Sequence, residues 1–450
     1  MESIGLVPDF GNLAFTLAAF VAALSIIVFV HEFGHYIVGR WSGIHAEVFS
    51  IGFGPVLFAR RDRHGTQWQV AAFPLGGYVK FLGDSDAASA TQDEGFLQHI
   101  VKAERDKELR RSMLGAPLWA RSATVAAGPV FNFLFSLLVL AGLYLSQGVP
   151  IEPPTVGRLP SLPGVEAGLE PGDVILEVEG RATPSYQALS AALDAIEVAP
   201  RVTYLLRRDG AERVVEGAWP FPVLVDAVSP NSAAIDAGLR VGDLIVAVDG
   251  QPITAFSELQ KVALASPGRD LKLQVRRGAE LLEFTLAPRI VDEPALEGGF
   301  EKVPRIGIRG RLIFDPATES LGVGKALQGA AAQVWFIAKS SLSGLWHMIR
   351  GSISSCSLRG PIGIAETSGE MAGQGVQSFI GFIALLSTAV GLLNLFPIPV
   401  LDGGHLVFHA WEAVTGKPPS DRALRLLMAV GLTLIIGLMA FALGNDLFCP

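Results

Sequence analysis

Two imidazoles and a carboxylate stand together in HEFGH, residues 31–35, directly after LAFTLAAFVAALSIIVFV, a run of 18 residues without a charge. In an α-helix, residues i and i+4 share one face a turn apart, so His31 and His35 can meet a single metal ion. Glu32 beside them can take a proton from a water on that metal without binding the metal itself, which is the chemistry behind the H-E-x-x-H pattern. A catalytic zinc keeps three protein ligands plus a water, so a third ligand must come from elsewhere. The extended metzincin pattern would need a histidine at position 41, where this chain has Trp41. Glu47 is a weak candidate, because HAEVFSIGFGP reads as a strand and not as a second helix. Asp402, within NLFPIPVLDGGHL (Asn394–Leu406), is the better one. It ends an apolar span where a carboxylate has no packing reason to be, and Pro397 and Pro399 break the helix so that its backbone can line a cavity. His405 ranks behind Asp402.

The elements that must carry these residues are membrane-spanning. Half of the 450 residues are hydrophobic, and charged residues make up 17%, against roughly 25% in soluble domains. Four stretches free of Asp, Glu, Lys and Arg are long enough to cross a bilayer: Gly11–Val30, Ser122–Ile151, Met371–Leu401 and Leu426–Asn445. As helices they are expected over about residues 11–38, 118–147, 376–397 and 424–445. The first is read as retained and not as a signal peptide, since MESIGLVPDF is acidic and no A-x-A pattern precedes HEFGH. A charge at membrane depth costs about 2.5–3.5 kcal/mol on insertion scales, so ionisable residues there point to function. The net charge of −8 argues against a nucleic-acid partner, which needs a concentrated surplus of Lys and Arg.

Basic residues cluster after the first stretch (Arg40, Arg60, Arg61, Arg63), before the second (Lys102, Arg105, Lys107, Arg110, Arg111, Arg121) and between the third and fourth (Lys417, Arg422, Arg425). These flanks are therefore expected to be cytoplasmic, with both termini and the long middle region outside. HEFGH and Asp402 then lie at the same, cytoplasmic depth. The two cysteines, Cys356 and Cys449, lack metal spacing and read as unpaired structural thiols; one bridge is open to them if both face an oxidising compartment.

The middle region contains an internal repeat. AGLEPGDVILEVEG (Ala167–Gly180) aligns without gaps on AGLRVGDLIVAVDG (Ala237–Gly250), an offset of 70 with eight of fourteen positions identical. Each copy leads through Gly-Asp into a short alternating strand, a turn and a helical stretch. This resembles a tandem of bacterial PDZ domains, residues 154–219 and 220–288, a fold that captures extended peptides or chain ends by strand addition. In the first copy, SLPGVEAGL departs from the SPNSAAIDAGL of the second, which puts its groove in question.

On the cytoplasmic side, residues 45–84 are expected to form a β-hairpin region, with WQVAAF and GYVKFL as two strands joined through Pro74–Gly77. Gly76, Gly77 and Tyr78 are candidates for contact with an unwound substrate accepted as an extra strand. Asn132 is expected to pack between helices, with Gly128 allowing close approach. Lys325–Gly351 suits an outer interfacial or juxtamembrane helix. The loop Arg359–Gly363 carries no assignable chemistry.

HEFGH in the first span, GPVFNF (Gly128–Phe133) in the second, NLFPIPVLDGGH in the third and the two outer repeats together resemble the site-2 protease family of intramembrane zinc metalloproteases, in its bacterial regulator-of-sigma-E protease group. The resemblance spans nearly the whole chain. It implies a polytopic α-helical membrane protein of four transmembrane helices, with two α/β PDZ-like domains between the second and third. It implies that His31, His35 and Asp402 bind Zn2+, that Glu32 is the catalytic base, and that Asn394 with Pro397 and Pro399 helps to hold substrate. It implies an inner-membrane enzyme cutting the transmembrane segment of an anti-sigma factor after a first periplasmic cut, or a remnant signal peptide. The expected organisation is a membrane core over 1–153, the PDZ-like pair, a linker with interfacial helices over 289–370, and a second membrane core over 371–450.

Overall fold

The computed structural model describes residues 10–83, 109–160, 166–294 and 300–448. Two compact units emerge: one gathers residues 1–142, 327–346 and 355–450, the other residues 143–326 and 347–354.

Among the described residues, four helices are long and apolar enough to cross a membrane: Leu13–Trp41, Leu118–Gln147, Val376–Asn394 and Asp421–Phe448. A helix suits such segments because it satisfies every backbone polar group internally. In chain order the helices are α1 (Phe10–Trp41), α2 (Leu118–Gln147), α3 (Tyr186–Ala195), α4 (Phe256–Leu264), α5 (Val323–Ile349), α6 (Pro361–Gly373), α7 (Val376–Asn394), α8 (Asp402–Thr415) and α9 (Asp421–Phe448), besides a one-turn helix at Ala233–Asp236. Helices α1 and α2 meet through small residues, since a Cβ on Gly34 would fall 2.5 Å from the Ala127 carbonyl oxygen.

The stretch expected to end the third span splits in two. Helix α7 stops at Asn394, the loop through Pro397 and Pro399 follows, and Asp402 opens the separate helix α8. Gly403 and Gly404 let the loop fold back on the first turn of α8; a Cβ on Gly404 would lie 2.6 Å from Pro399 Cα.

The hairpin region is a more folded structure than two paired strands. Strand β1 (Ala46–Arg61) and strand β2 (Gln67–Phe81) each bend in the middle, so that residues 46–51 pair with both 77–81 and 67–70. WQVAAF and GYVKFL therefore do not pair with one another: both flank the first half of β1. Gly52 and Gly54, at φ 89 and 86, make the bend in β1, and the turn between the strands falls near Gly65.

The cysteine expectation is corrected: Cys356 is disulfide-bonded. The sequence's other cysteine, Cys449, lies outside the described residues. Three positions before it in the chain, the Asp446 carboxylate accepts from the backbone N–H groups of Gly360 (2.8 Å), Ile362 (3.0 Å) and Gly363 (3.2 Å). Arg359–Gly363 thus has a structural role as the N-terminus of α6, capped by an anion from α9, as the helix dipole favours.

In the second unit, two four-stranded antiparallel sheets repeat one order. The first runs Arg181–Ala182, Val174–Val178, Arg201–Arg208, Ala211–Ala218, and the second Gln251–Pro252, Leu244–Val248, Leu271–Arg277, Glu280–Leu286. Each packs its helix, α3 or α4, over an aliphatic core. The Gly-Asp of the sequence repeat is explained by a buried ion pair in each copy. Asp173, fully buried, takes two bonds of 2.7 Å from Arg208, and Asp243 takes two of 2.7 Å from Arg277. Each aspartate also accepts a backbone N–H three residues upstream.

Candidate active site

One cluster of potential metal ligands occurs among the described residues: His31, His35 and Asp402. His31 Nε2 lies 3.1 Å from Asp402 Oδ2, His35 Nε2 lies 3.5 Å from Asp402 Oδ1, and the two Nε2 atoms are 3.2 Å apart. Three donors around a tetrahedral ion, each at about 2.0–2.1 Å, are separated by about 3.3–3.4 Å. The two imidazole nitrogens are thus spaced like one edge of a zinc coordination sphere, with a carboxylate oxygen of Asp402 at a similar distance from each. Asp402 Oδ2 is buried without an aligned hydrogen-bond donor despite its contact with His31, as expected of an atom aimed at a cation.

The tautomers agree with this reading. His35 Nδ1 is 2.8 Å from the Thr124 carbonyl oxygen and must donate to it, which leaves the lone pair on Nε2. His31 Nδ1 is 3.2 Å from the buried carboxamide of Asn132. Both partners sit on α2, where Gly128 leaves room for the imidazoles: a Cβ there would fall 2.5 Å from His35 Cε1 and 2.8 Å from His31 Cε1.

Glu32 faces β2. Its carboxylate accepts from the backbone of Val79 and lies within electrostatic reach of His35 and Asp402. Gly77 stands against it, for a Cβ at that position would come within 3.3 Å of Glu32 Cγ. Of the other hairpin candidates, Tyr78 stacks on Phe53 at 6.0 Å and its hydroxyl accepts from Gln69. Gly76 packs beside the same Phe53 ring.

The remaining candidates separate. Glu47 pairs with Lys80 at 3.5 Å and is not in the cluster, nor is His405. Asn394 donates to Val390 O within its own helix, and Pro399 packs against Gly431 of α9. Sequence reasoning missed several residues that hold the site. Asn132 was expected only to pack, yet it touches a metal-ligand candidate. Arg121 of α2 forms a two-pronged ion pair with Glu412 of α8 at 2.6 and 3.0 Å. Ser122 meets His409 at 3.2 Å one turn before it. These contacts join the helix carrying Asp402 to the helix that backs His31 and His35. Burial, with Arg121 beside it, pushes His409 down to about 4. The spacing His405, His409, Glu412 along one face of α8 is the signal that could have found them.

Comparison with known proteins gives the family. The family model described as Peptidase family M50 matches residues 19–438. The regulator of sigma-E protease RseP of Escherichia coli is 35% identical over 461 residues, covering 96% of this chain and 98% of that one. An inferred zinc metalloprotease of Rhizobium meliloti is 35% identical over 437 residues, 97% of each chain. Among solved structures, the PDZ domain of an SdrC-like protein from Listeria innocua matches 20% of this chain and 92% of its own, at 26% identity and a TM-score of 0.16. With a family model matching most of its length and near full-length relatives, the chain belongs to peptidase family M50, the zinc metalloendopeptidases of the site-2 protease type.

Proposed function

We propose that this protein cleaves single-span membrane substrates within or next to the bilayer, with His31, His35 and Asp402 as the zinc ligands and Glu32 as general base. The observation that carries the reading is the convergence of His31, His35 and Asp402, residues nearly 370 positions apart, with one ligand atom from each within 4.8 Å of the others and Glu32 beside them. Zinc bound there supplies an acidified water and an electrophile for the scissile carbonyl. Glu32 takes the water's proton and returns it to the departing amide nitrogen. Val79 N–H steadies the carboxylate, and Gly77 keeps the space in front of it open.

A helical substrate has its carbonyls engaged and must unwind before cleavage. The second half of β2, residues 77–81, pairs with β1 on one side and runs past Glu32, so an unwound segment adding there as a further strand would present its carbonyl to the base. The substrate class proposed is the transmembrane segment of an anti-sigma factor already cut outside, or a remnant signal peptide, by analogy with the Escherichia coli relative, a regulator of sigma-E protease. We place the active site near the cytoplasmic face of the inner membrane and the termini and repeats outside. The disulfide at Cys356 supports that side for the end of α9, because such bonds persist in oxidising compartments.

The two repeats act, on this reading, as PDZ domains that gate access, and the second is the one equipped to hold a chain end. A groove of about 120 Å³ runs between α4 and Arg305–Ile308, where Gly307 adopts φ 86. In the first repeat strand Val156–Arg158 pairs with Asp315–Pro316, as Val225–Val228 pairs with Ile308–Gly310 in the second. A comparison of membrane peptides by mass spectrometry between cells with the wild-type chain and with Glu32→Gln tests the function. Uncut single-span remnants should accumulate in the variant; identical peptide profiles would contradict the proposal.

A further inference from the structure

We propose that Asn132 is a positioning residue for the metal: it accepts the Nδ1 proton of His31 and so holds the Nε2 lone pair on the ion. The inference rests on the reading of His31 as a ligand. Asn132 is fully buried, and its carboxamide lies 3.2 Å from His31 Nδ1. No other group among the described residues bonds that nitrogen. With Nε2 given to the metal that Asp402 and His35 would share, the ring's one hydrogen sits on Nδ1, which then needs an acceptor. With Nδ2 presented to the imidazole, the amide leaves Oδ1 buried with no partner. The oxygen and nitrogen of a carboxamide are nearly interchangeable in outline, and turning it by 180° pairs the orphaned oxygen with Nδ1–H. His31 then has the same arrangement as His35, whose Nδ1 donates to Thr124 O.

The fold holds the amide in place from the other side. The Asn132 backbone oxygen accepts from Ser387 Oγ of α7 at 3.1 Å, and the single Ser136 hydroxyl hydrogen is shared between Asn132 O at 2.9 Å and Ala384 O of α7 at 2.8 Å. A Cβ on Gly391 of α7 would fall 3.1 Å from Asn132 Cβ, so α7 closes over the residue. A mere space-filling residue would not require the carboxamide, whereas an acceptor for His31 does.

The test is zinc affinity of the full-length chain in detergent, by competition with a chromophoric chelator, for wild type, Asn132→Leu and Asn132→Asp. Leucine fills the same volume without an acceptor and should weaken zinc binding about 10–100-fold, as loss of such outer partners does. Aspartate, a stronger acceptor, should hold zinc at least as tightly as wild type, a rescue that packing alone does not predict. Equal affinity in the leucine variant, or tenfold weakening by aspartate, would overturn the proposal. If the leucine variant does not fold, the aspartate result decides. A wild-type chain that binds no zinc would instead sink the metal reading itself.

Discussion

Replacing Gly128 by alanine adds one methyl group to the back wall of the metal site. The added carbon would sit 2.5 Å from His35 Cε1 and 2.8 Å from His31 Cε1, with His35 Nε2 closer still, where ordinary contact begins at 3.4 Å. The His35 ring must therefore retreat by about 1.1 Å, or α2 must move away by that much. Metal–ligand distances tolerate only about 0.2 Å, and loss of one of three ligands, or of the Thr124 bond that orients it, follows from either movement. Alanine is a better helix former than glycine by about 1 kcal/mol, so the helix itself should not suffer. We expect Gly128→Ala to be inserted and folded, with a thermal midpoint near wild type for the metal-free protein. Its zinc affinity should fall by at least about 100-fold, in line with loss of ligand geometry. Elemental analysis after gel filtration, with chelator competition, measures this. A variant that keeps one tightly held zinc and full cleavage would refute the close packing on which the site's geometry depends.

Further outcomes follow from the same structure. Glu32→Gln should keep zinc while cleavage of a model transmembrane substrate falls by about 10²–10⁴ or more, since only proton transfer is lost; substantial remaining cleavage would reject the base. Asp243→Ala leaves Arg277 beside an emptied buried site and should destabilise the second repeat by about 2–3 kcal/mol, less than a fully buried pair because Arg277 is partly exposed; urea unfolding followed on the repeat region measures it. His409, held neutral with its pKa lowered from 6.5 to about 4, binds a proton more readily when unfolded. Stability should therefore be full above 6.5 and fall as pH drops from 6.5 toward 4, and His409→Asn should make that fall shallower in thermal melts.

The cluster proposed to hold the metal was largely legible in the sequence because its parts are chemically out of place. HEFGH and Asp402 put ionisable groups against apolar runs, and the four-residue spacing fixes one helix face without any knowledge of the fold. The third candidate ligand, Asp402, was reached from a carboxylate ending an apolar span beside Pro397 and Pro399, although no local spacing ties residue 402 to residue 35. What supports the ligands was hidden for a different reason. Asn132, Thr124 and Gly128 act through a helix crossing, and Thr124 contributes a backbone carbonyl, which no side-chain pattern announces. The repeat was visible in its Gly-Asp, but Arg208 and Arg277 pair with it from distant strands. Pro74–Gly77 has the composition of a tight turn, and residues 67–81 nevertheless form one bent strand, because both halves find partners in residues 46–51. The bond at Cys356 was misread, since two cysteines nearly a hundred residues apart carry no spacing signal.

The convergence of α1 and α8 on one ion is tested most directly by zinc-edge X-ray absorption on the purified full-length chain, alongside Asp402→Ala and His405→Ala. The expected result is one zinc with two imidazole nitrogens and carboxylate or water oxygens at about 2.0–2.2 Å, retained in the His405 variant and lost or reduced to two protein ligands in the Asp402 variant. An unchanged spectrum in Asp402→Ala, or a loss of zinc on changing His405 alone, would contradict it.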